Sequence, residues 1–125
     1  MRKIPRIADA EWKIMKVIWA APAPLPAYDI IQVVAPPEGW QPRTVKTLLA
    51  RLVKKRALGY RKYKNLYLYY PLVTENECLH VEAESFLMRF FDGSLEPMLA
   101  HFVEQRRLTA AEIEELKRIL DRKER

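Results

Sequence analysis

The first part of the chain shows apolar residues at the spacing of short helices, separated by prolines. From Asp9 to Ala21 the apolar side chains recur every three or four residues, which predicts a first helix. A proline-rich stretch follows, and proline cannot continue a helix interior. The next apolar segment predicts a short second helix, Ala27–Ala35, that ends before Pro36. Both helices are expected to form scaffold rather than a site.

The third helix is predicted to begin near Gln41, because Pro42 suits a first helical position, where its missing N–H costs nothing. Its apolar residues recur at i, i+3, i+4, i+7 and i+8, so one face of the helix is expected to pack into a core. These residues are Val45, Leu48, Leu49, Leu52 and Val53. The opposite face and its flanks carry polar or small residues: Arg43, Thr44, Lys46, Thr47, Ala50, Arg51 and Lys54. The small Ala50 lets the helix axis come close to another surface.

The pattern then changes to alternation over residues 59–71, which is typical of β-strands. The Lys64-Asn65 pair is a plausible turn and predicts a two-stranded hairpin. Three cations lie toward its tip: Arg61, Lys62 and Lys64. Three helices followed by a basic hairpin is the element order of a winged helix-turn-helix. We therefore predict a mainly α-helical fold with a small β-hairpin, and a winged-helix domain over residues 1–72.

The remaining residues, 73–125, read as three further helices. Thr74-x-x-Glu77 and Thr109-x-x-Glu112 are capping boxes that open the fourth and the sixth helix. The "DGS" tripeptide at residues 92–94 separates the fourth helix from a fifth, at residues 95–105, which Ser94 is expected to cap. The region after residue 72 is therefore predicted to be a separate helical domain.

These three helices have too little interior to bury their own apolar faces. A second copy of the segment would solve this, so we predict a homodimer. The residues expected at its interface are apolar and lie on the helical stripes: Phe86, Leu87, Phe90, Leu95, Leu99, Phe102, Val103, Ile113 and Leu116. The alternative, in which the segment folds back on the N-terminal domain, stays open at this point, although the first three helices already have matching faces for one another.

The charge distribution indicates what the third helix meets. Residues 41–64 hold nine Lys or Arg and no acid, although the chain has 16 Asp and Glu. Residues 1–72 carry 14 basic residues against four acids, whereas residues 73–125 carry eight against twelve. An acid-free helix face beside a basic hairpin suits DNA phosphates, and a helix fits the major groove. The predicted DNA contacts are the polar residues of the helix and the hairpin cations: Arg43, Thr44, Lys46, Thr47, Arg51, Lys54, Arg61, Lys62 and Lys64.

Three other interpretations of this surface stay open. A run of Lys and Arg is usually a solvated face, although that reading explains poorly why no acid occurs between Glu38 and Glu75. A protein-interaction adaptor would use the same face to dock an acidic partner, and its binding would be indifferent to DNA sequence. A winged-helix activator or a nucleoid-type protein would bind DNA with another outcome or with little specificity.

The sequence offers little for catalysis, metal binding or membrane insertion. His80 and Glu84 lie one turn apart but lack the spacing of a metalloprotease motif, and the chain has only two His, one Cys and three Gly. Neither an enzyme, a metal site nor a cofactor is therefore predicted. Cys78 cannot form an internal disulfide, and no apolar run approaches the ~18 residues of a membrane span, so a cytoplasmic protein is expected.

Four segments together resemble the penicillinase-repressor (BlaI/MecI) family in the same order along nearly the whole chain: "AEWKIMKVIW", "TVKTLLARLVKK", "YLYYPLV" and "FFDGSLEPMLAHFVEQRRLTAAEIEELKRIL". The resemblance implies a dimeric winged-helix repressor that binds inverted-repeat operators. It places recognition-helix contacts at Arg43, Thr44, Lys46 and Thr47, with Arg51 nearby, and wing contacts around residues 62–65. A serine that caps the first helix in the family is absent, and Asp9 is expected to replace it.

The resemblance also implies a way of switching the repressor. Many members are cut in the dimerisation region after a membrane-anchored zinc metalloprotease sensor detects a β-lactam. The family's scissile bond, often Asn-Phe, aligns with His101-Phe102, so cleavage is expected there, with histidine in place of asparagine. A related copper-responsive branch ends in a cysteine cluster, which this sequence lacks, so copper sensing is not expected.

Overall fold

A computed structural model describes residues 3–124 and divides the chain into two compact units. The N-terminal unit extends to Glu82, and the C-terminal unit begins at Ala83. In order, the elements are α1 Asp9–Ala20, β1 Leu25–Pro26, α2 Ala27–Glu38, α3 Pro42–Lys54, β2 Leu58–Tyr63, β3 Leu66–Pro71, α4 Glu75–Phe91, α5 Leu95–Glu104 and α6 Ala110–Glu124. The predicted fold class is confirmed. The functional division predicted at residue 72 stays a prediction.

The core of the N-terminal unit lies where α1, α2 and α3 pack against one another and against the sheet. The predicted apolar face of α3 is confirmed, because Val45, Leu49 and Leu52 have at most 1% of their surface exposed. The large buried partners come from the other elements: Ile14, Met15, Ile30 and Leu58. Burial of one such side chain stabilises the fold by about 1.5–3 kcal/mol. This packing fixes the orientation of α3 and thereby exposes its polar face.

The sheet has three antiparallel strands in the order β1-β3-β2. The predicted hairpin and its turn are confirmed, since β2 and β3 flank Lys64-Asn65 and Lys64 takes the left-handed conformation at φ 57°. The short strand β1 was not predicted. It adds an edge to the sheet by pairing Leu25 with Tyr69.

The predicted end of α2 before Pro36 is wrong, because the helix continues to Glu38. Both prolines lie in its last turn, where they lack N–H groups but still supply carbonyl acceptors. The Gly39 N–H donates to the Pro36 carbonyl at 3.2 Å, and the Trp40 N–H donates to the Ala35 carbonyl at 3.0 Å. With Gly39 in the left-handed conformation at φ 67°, these bonds form a Schellman motif that ends the helix.

The expected Asp9 cap on α1 is also wrong, because Ala8 occupies the N-cap position and Asp9 is the first helical residue. The missing cap is replaced by Glu11, whose Oε1 accepts a hydrogen bond from the Ala8 N–H at 2.8 Å. Glu11 is 1% exposed and also pairs with the Lys55 ammonium. Lys55 donates a second bond to the Arg6 carbonyl at 3.1 Å, so this buried carboxylate ties the end of α3 to the start of α1.

In the C-terminal unit one of the two predicted helix caps forms its hydrogen bonds, and the helices are not closed into a core. The capping box of α6 is confirmed, because the Glu112 N–H donates to Thr109 Oγ1 at 3.1 Å and the Thr109 N–H donates to Glu112 Oε1 at 2.9 Å. Ser94 is the N-cap of α5, although its hydroxyl makes no cap bond. None of the described side chains from residue 83 onward is buried. No helix in the described part of the chain is both long and apolar enough to cross a membrane.

Candidate nucleic-acid interface

The exposed surface of α3 has a central line and two flanks. Arg43, Thr47, Ala50 and Lys54 follow one another along the line opposite the buried face, and all four are exposed. Lys46 lies on the flank beside the hairpin, where it lines a cleft with Tyr67. Thr44 and Arg51 lie on the other flank, along a shallow depression. The helix residues predicted from the sequence therefore form one continuous exposed surface.

Thr47 differs from its neighbours because its hydroxyl is already used. Thr47 Oγ1 donates to the Arg43 carbonyl one turn earlier, at 3.0 Å. Such a bond to the preceding turn is common for threonine in helices. Because its hydroxyl hydrogen is donated inside the helix, Thr47 offers its methyl group for apolar contact and does not donate a hydrogen bond to an anion.

The predicted basic contacts on α3 and the hairpin have no acidic partner within the described residues: Arg43, Lys46, Arg51, Lys54, Arg61, Lys62 and Lys64. Several other cations of the N-terminal unit do have carboxylate partners. Lys13 bonds Glu38 at 2.8 Å, Lys16 bonds Glu75 at 2.7 Å, and Arg6 forms a fork with Glu82. The unpaired cations repel one another, so this surface has a positive potential that favours an external anion.

The hairpin presents its cations on different faces. In the register of β2 and β3, Lys62 lies opposite Tyr67 and Arg61 lies opposite Leu68. Because successive strand residues point to opposite faces, Lys62 shares the face of Tyr67, which lies beside α3, and Arg61 points the other way. Lys64 is in the turn, with its ammonium 5.5 Å from the Tyr63 ring centre. The three predicted hairpin contacts are therefore not equivalent.

Three tyrosines complete the surface beside α3, and the sequence analysis did not assign them to it. Tyr60, Tyr67 and Tyr69 share one face of the sheet and line a cleft of about 300 Å³ together with Ala50 and Val53. Burial raises the pKa of the Tyr69 phenol, and its two tyrosine neighbours add to the effect, so the ring stays neutral. The period-two pattern of the strands is the signal that could have placed these rings together.

The C-terminal residues predicted at a dimer interface are all partly or largely exposed: Phe86, Leu87, Phe90, Leu95, Leu99, Phe102, Val103, Ile113 and Leu116. Leu95, Leu99 and Val103 line one open groove along α5. Phe86 and Phe90 pack against each other at 5.1 Å between ring centres. The stripes that the pattern predicted therefore lie at the surface, and none of these nine side chains is fully buried.

The predicted cleavage residues lie inside α5. His101 is exposed and Phe102 is half-buried, with ring centres 5.6 Å apart. The His101 carbonyl accepts a hydrogen bond from the Gln105 N–H at 3.0 Å.

Burial, with the nearby charges of Glu77 and Glu82, raises the pKa of the Cys78 thiol, so it is not a reactive thiolate. Within residues 3–124 no group of three or more His, Cys, Asp or Glu is arranged to hold a metal ion.

Three packed helices, a small antiparallel sheet and an exposed basic third helix define a winged helix-turn-helix, a class of fold that carries nucleic-acid recognition. The family model described as penicillinase repressor matches residues 7–122. The chain therefore belongs to the penicillinase repressor family.

The relatives agree with this assignment over almost the whole chain. The chain is 39% identical over 121 residues to the penicillinase repressor of Bacillus licheniformis, covering 97% of this chain and 94% of that protein. It is 33% identical over 121 residues to the methicillin resistance regulatory protein MecI of Staphylococcus aureus strain N315, covering 97% and 98%.

Two solved structures are similar to part of this chain. The DNA-binding domain of the repressor BlaI matches with a TM-score of 0.55 and 38% identity, over 62% of this chain and 93% of that one. The monomeric form of Bacillus licheniformis BlaI in complex with the blaP half-operator matches with a TM-score of 0.53 and 38% identity, over the same shares.

Proposed function

We propose that this protein is a transcriptional repressor that inserts α3 into the major groove of double-stranded DNA and rests its hairpin on the adjacent backbone. The observation that carries the proposal is the set of cations without a carboxylate partner on α3 and the hairpin, in a unit where Arg6, Lys13, Lys16 and Lys55 do have such partners. DNA phosphates are the polyanion that suits such a surface, because their neutralisation releases condensed counterions. The similar BlaI chain bound to its half-operator supports the same ligand.

The two kinds of contact divide along α3. Arg43, Lys46 and the two threonines lie in the first half of the helix, which is the half that reaches base edges in helix-turn-helix proteins. Arginine and lysine favour guanine, and the outward methyl of Thr47 suits the methyl group of thymine. Arg51, Lys54 and the hairpin cations contact phosphates, with Lys62 closer to the DNA-facing side than Arg61, and phosphate contacts contribute affinity and register rather than sequence information.

The protein acts as a homodimer through its C-terminal unit. The supporting observation is that its apolar stripes have no internal cover, as the groove along α5 illustrates. A twofold dimer presents two α3 helices and requires an inverted-repeat operator with half-sites about one or more helical turns apart. Two linked half-site contacts give an affinity about 10²–10⁴-fold above that of one.

Induction follows from weakening the dimer by cleavage between His101 and Phe102, and a membrane metalloprotease sensor is the proposed partner in a cytoplasmic setting. The cut would separate the last turn of α5 and all of α6 from the remainder of the unit. Because the His101 carbonyl is bonded within α5, the helix has to open locally before a protease can take this bond in an extended form. Cleavage at this position is tested by mass spectrometry of the repressor after induction.

The experiment that tests the DNA-binding proposal is selection of bound sites from random duplex DNA, because it reports specificity, symmetry and half-site spacing together. We expect an inverted repeat. The double variant Arg43→Ala with Lys46→Ala should lose binding to the selected duplex while helix content and dimer mass stay unchanged. Lys117→Ala, a charge change in α6, is the matched control and should bind as the wild type does. Retained binding by the double variant, or selection of no sequence, contradicts the proposal.

The hairpin allows a sharper test of which charges meet the backbone. Lys62→Ala and Arg61→Ala remove the same charge from neighbouring positions on opposite faces of the strand. We expect Lys62→Ala to weaken binding on every sequence and to reduce the steepness of the dependence of log affinity on log salt by about one. Arg61→Ala should change the slope less. Equal effects would contradict the assignment of Lys62 to the DNA-facing side.

A further inference from the structure

The cleft beside α3, which we call the tyrosine cleft, is lined by Ala50, Val53, Tyr60, Tyr67 and Tyr69. The residue that keeps it open is Ala50, because it is the small residue in the central line of α3 between Thr47 and Lys54. A larger side chain at this position would fill the space between the helix and the hairpin. The cleft has a volume of about 300 Å³ and can receive one sugar-phosphate unit.

The walls of the tyrosine cleft are rigid aromatic rings with accessible hydroxyl groups. Tyr60 and Tyr67 meet edge to face with 5.1 Å between ring centres and an interplanar angle of 87°. Their exposed fractions are 51% and 50%. Neither hydroxyl hydrogen-bonds to another of the described residues. An edge-to-face contact of this kind stabilises the pair by about 0.5–1.5 kcal/mol. It holds the Tyr67 ring in place while the Tyr67 hydroxyl stays available.

Among the described residues that line this cleft and the adjoining one, none carries a carboxylate. Lys62 shares its sheet face and lies opposite Tyr67 in the strand register. Lys46 lies one helical turn before Ala50 and lines the adjoining cleft together with Tyr67. A ligand in this space therefore meets apolar ring faces and phenol donors, and Lys46 and Lys62 lie on the two elements that flank it. A sugar-phosphate backbone offers the complementary chemistry, namely the C–H face of a deoxyribose and the oxygens of a phosphate.

We propose that the tyrosine cleft holds the sugar-phosphate backbone of one DNA strand, with the Tyr67 hydroxyl donating to a phosphate oxygen and Tyr60 positioning the Tyr67 ring. The inference rests on the proposed DNA-binding function and names a contact that charge alone does not reveal. The cleft lies to the side of the central line of α3. The centre of a recognition helix reaches the bases, whereas its flanks meet the backbone at the edge of the groove.

The first test compares Tyr67→Phe with Tyr63→Phe on a duplex selected from random DNA. Both changes remove one phenol hydroxyl from the hairpin, but the alternation of β2 and its register with β3 put Tyr63 on the face opposite to Tyr67. We expect Tyr67→Phe to lose about tenfold in affinity on every sequence, since a hydrogen bond to a charged oxygen is lost. The salt slope should stay unchanged because tyrosine carries no charge. Tyr63→Phe should bind as the wild type does.

The second test locates the phosphate. Single methylphosphonate substitutions along the duplex should include one position that weakens wild-type binding and has no further effect on Tyr67→Phe. Ala50→Leu, a change at an exposed helix position, should fill the cleft and weaken binding without lowering the melting temperature.

The outcomes separate the two proposals. If Tyr67→Phe binds as tightly as the wild type, and no phosphate loses its effect in that variant, the inference about the cleft is wrong and the proposed function stands. If the wild type binds no selected duplex, the proposed function fails and the inference falls with it.

Discussion

The two units of the chain treat their apolar residues in opposite ways. In the N-terminal unit, side chains from three helices and the sheet close a core in which Ile14, Met15, Ile30 and Val45 have no exposed surface. In the C-terminal unit, no described side chain from residue 83 onward is buried, and Met88, Phe90 and Leu120 are each about 60% exposed. The first unit therefore buries its own core, whereas the second unit exposes an apolar surface that suits another molecule.

The largest expected effect comes from charging the exposed groove of α5. Leu95→Asp combined with Val103→Asp would place two carboxylates where a second copy is proposed to pack, and a buried unpaired charge is strongly unfavourable. We expect sedimentation to show monomers. Affinity for a duplex with two half-sites should fall about 10²–10⁴-fold, and affinity for a single half-site should not change.

Glu96 and Glu104 line the same groove and provide the matched control. Changing both to Gln alters polar positions of α5 without adding charge, and the dimer should persist. A charged double variant that still sediments as a dimer would show that this groove is not the interface.

Two leucine-to-alanine variants, one in each unit, compare a buried leucine with an exposed one. Leu49 is 1% exposed and Leu120 is 58% exposed. Leu49→Ala should lower the free energy of unfolding by about 2–5 kcal/mol, because it leaves a cavity in a closed core. Leu120→Ala should change it by less than about 0.5 kcal/mol. Urea denaturation measures both, and similar losses for the two variants would contradict the contrast between the units.

The two capping boxes provide the same motif in different settings. Thr74→Ala removes the cap of α4, whose first turns are tied to α1 by the Trp19 Nε1–H bond to the Val73 carbonyl at 2.9 Å and by the Lys16–Glu75 pair. We expect it to destabilise the N-terminal unit by about 0.5–2 kcal/mol. Thr109→Ala should fray only the start of α6. Amide hydrogen exchange distinguishes the outcomes, and a global loss of protection in Thr109→Ala would contradict local fraying.

The smallest expected effect is the pH dependence of the cap on α6. Hydrogen bonds from the Thr109 backbone and hydroxyl groups hold the pKa of Glu112 below its ordinary value of 4.5. A lowered pKa in the folded state means that the stabilisation is fully present above the unfolded value and is lost as the pH falls through the folded one. The Thr109 amide shift should therefore move only in acid. Glu112→Gln should abolish that movement, and an unchanged titration in this variant would assign it to another group.

The strongly periodic elements could be predicted because burial imposes their pattern. The face of α3 follows from five apolar positions, and the hairpin follows from alternation around the Lys64-Asn65 turn. Strand β1 could not be predicted, because two residues contain no period. The end of α2 was missed because a proline in a last turn loses only a donor, which Gly39 and Trp40 compensate through their own hydrogen bonds.

The sequence indicated which residues form the candidate site, but it did not indicate how they are arranged in space. The absence of acids between Glu38 and Glu75 is visible in the sequence, and it indicated the basic surface. Strand alternation separates Arg61 from Lys62, but only tertiary packing decides which of the two lies on the sheet face beside α3. The cap formed by Glu11 could have been predicted, because Glu11 lies three residues after the N-cap. Its pairing with Lys55 could not, because Lys55 is far away in the sequence.

Strand β1 also has a consequence for the order in which the fold assembles. It joins Leu25 to Tyr69, so its two residues close a loop that contains α2, α3 and β2. The hairpin of β2 and β3 is local and forms on a timescale of about 1–10 μs. Long loop closure costs more chain entropy and slows folding. We therefore expect the hairpin to form first and to be held in place only when the chain around it has collapsed, so that the DNA-facing surface appears late in folding.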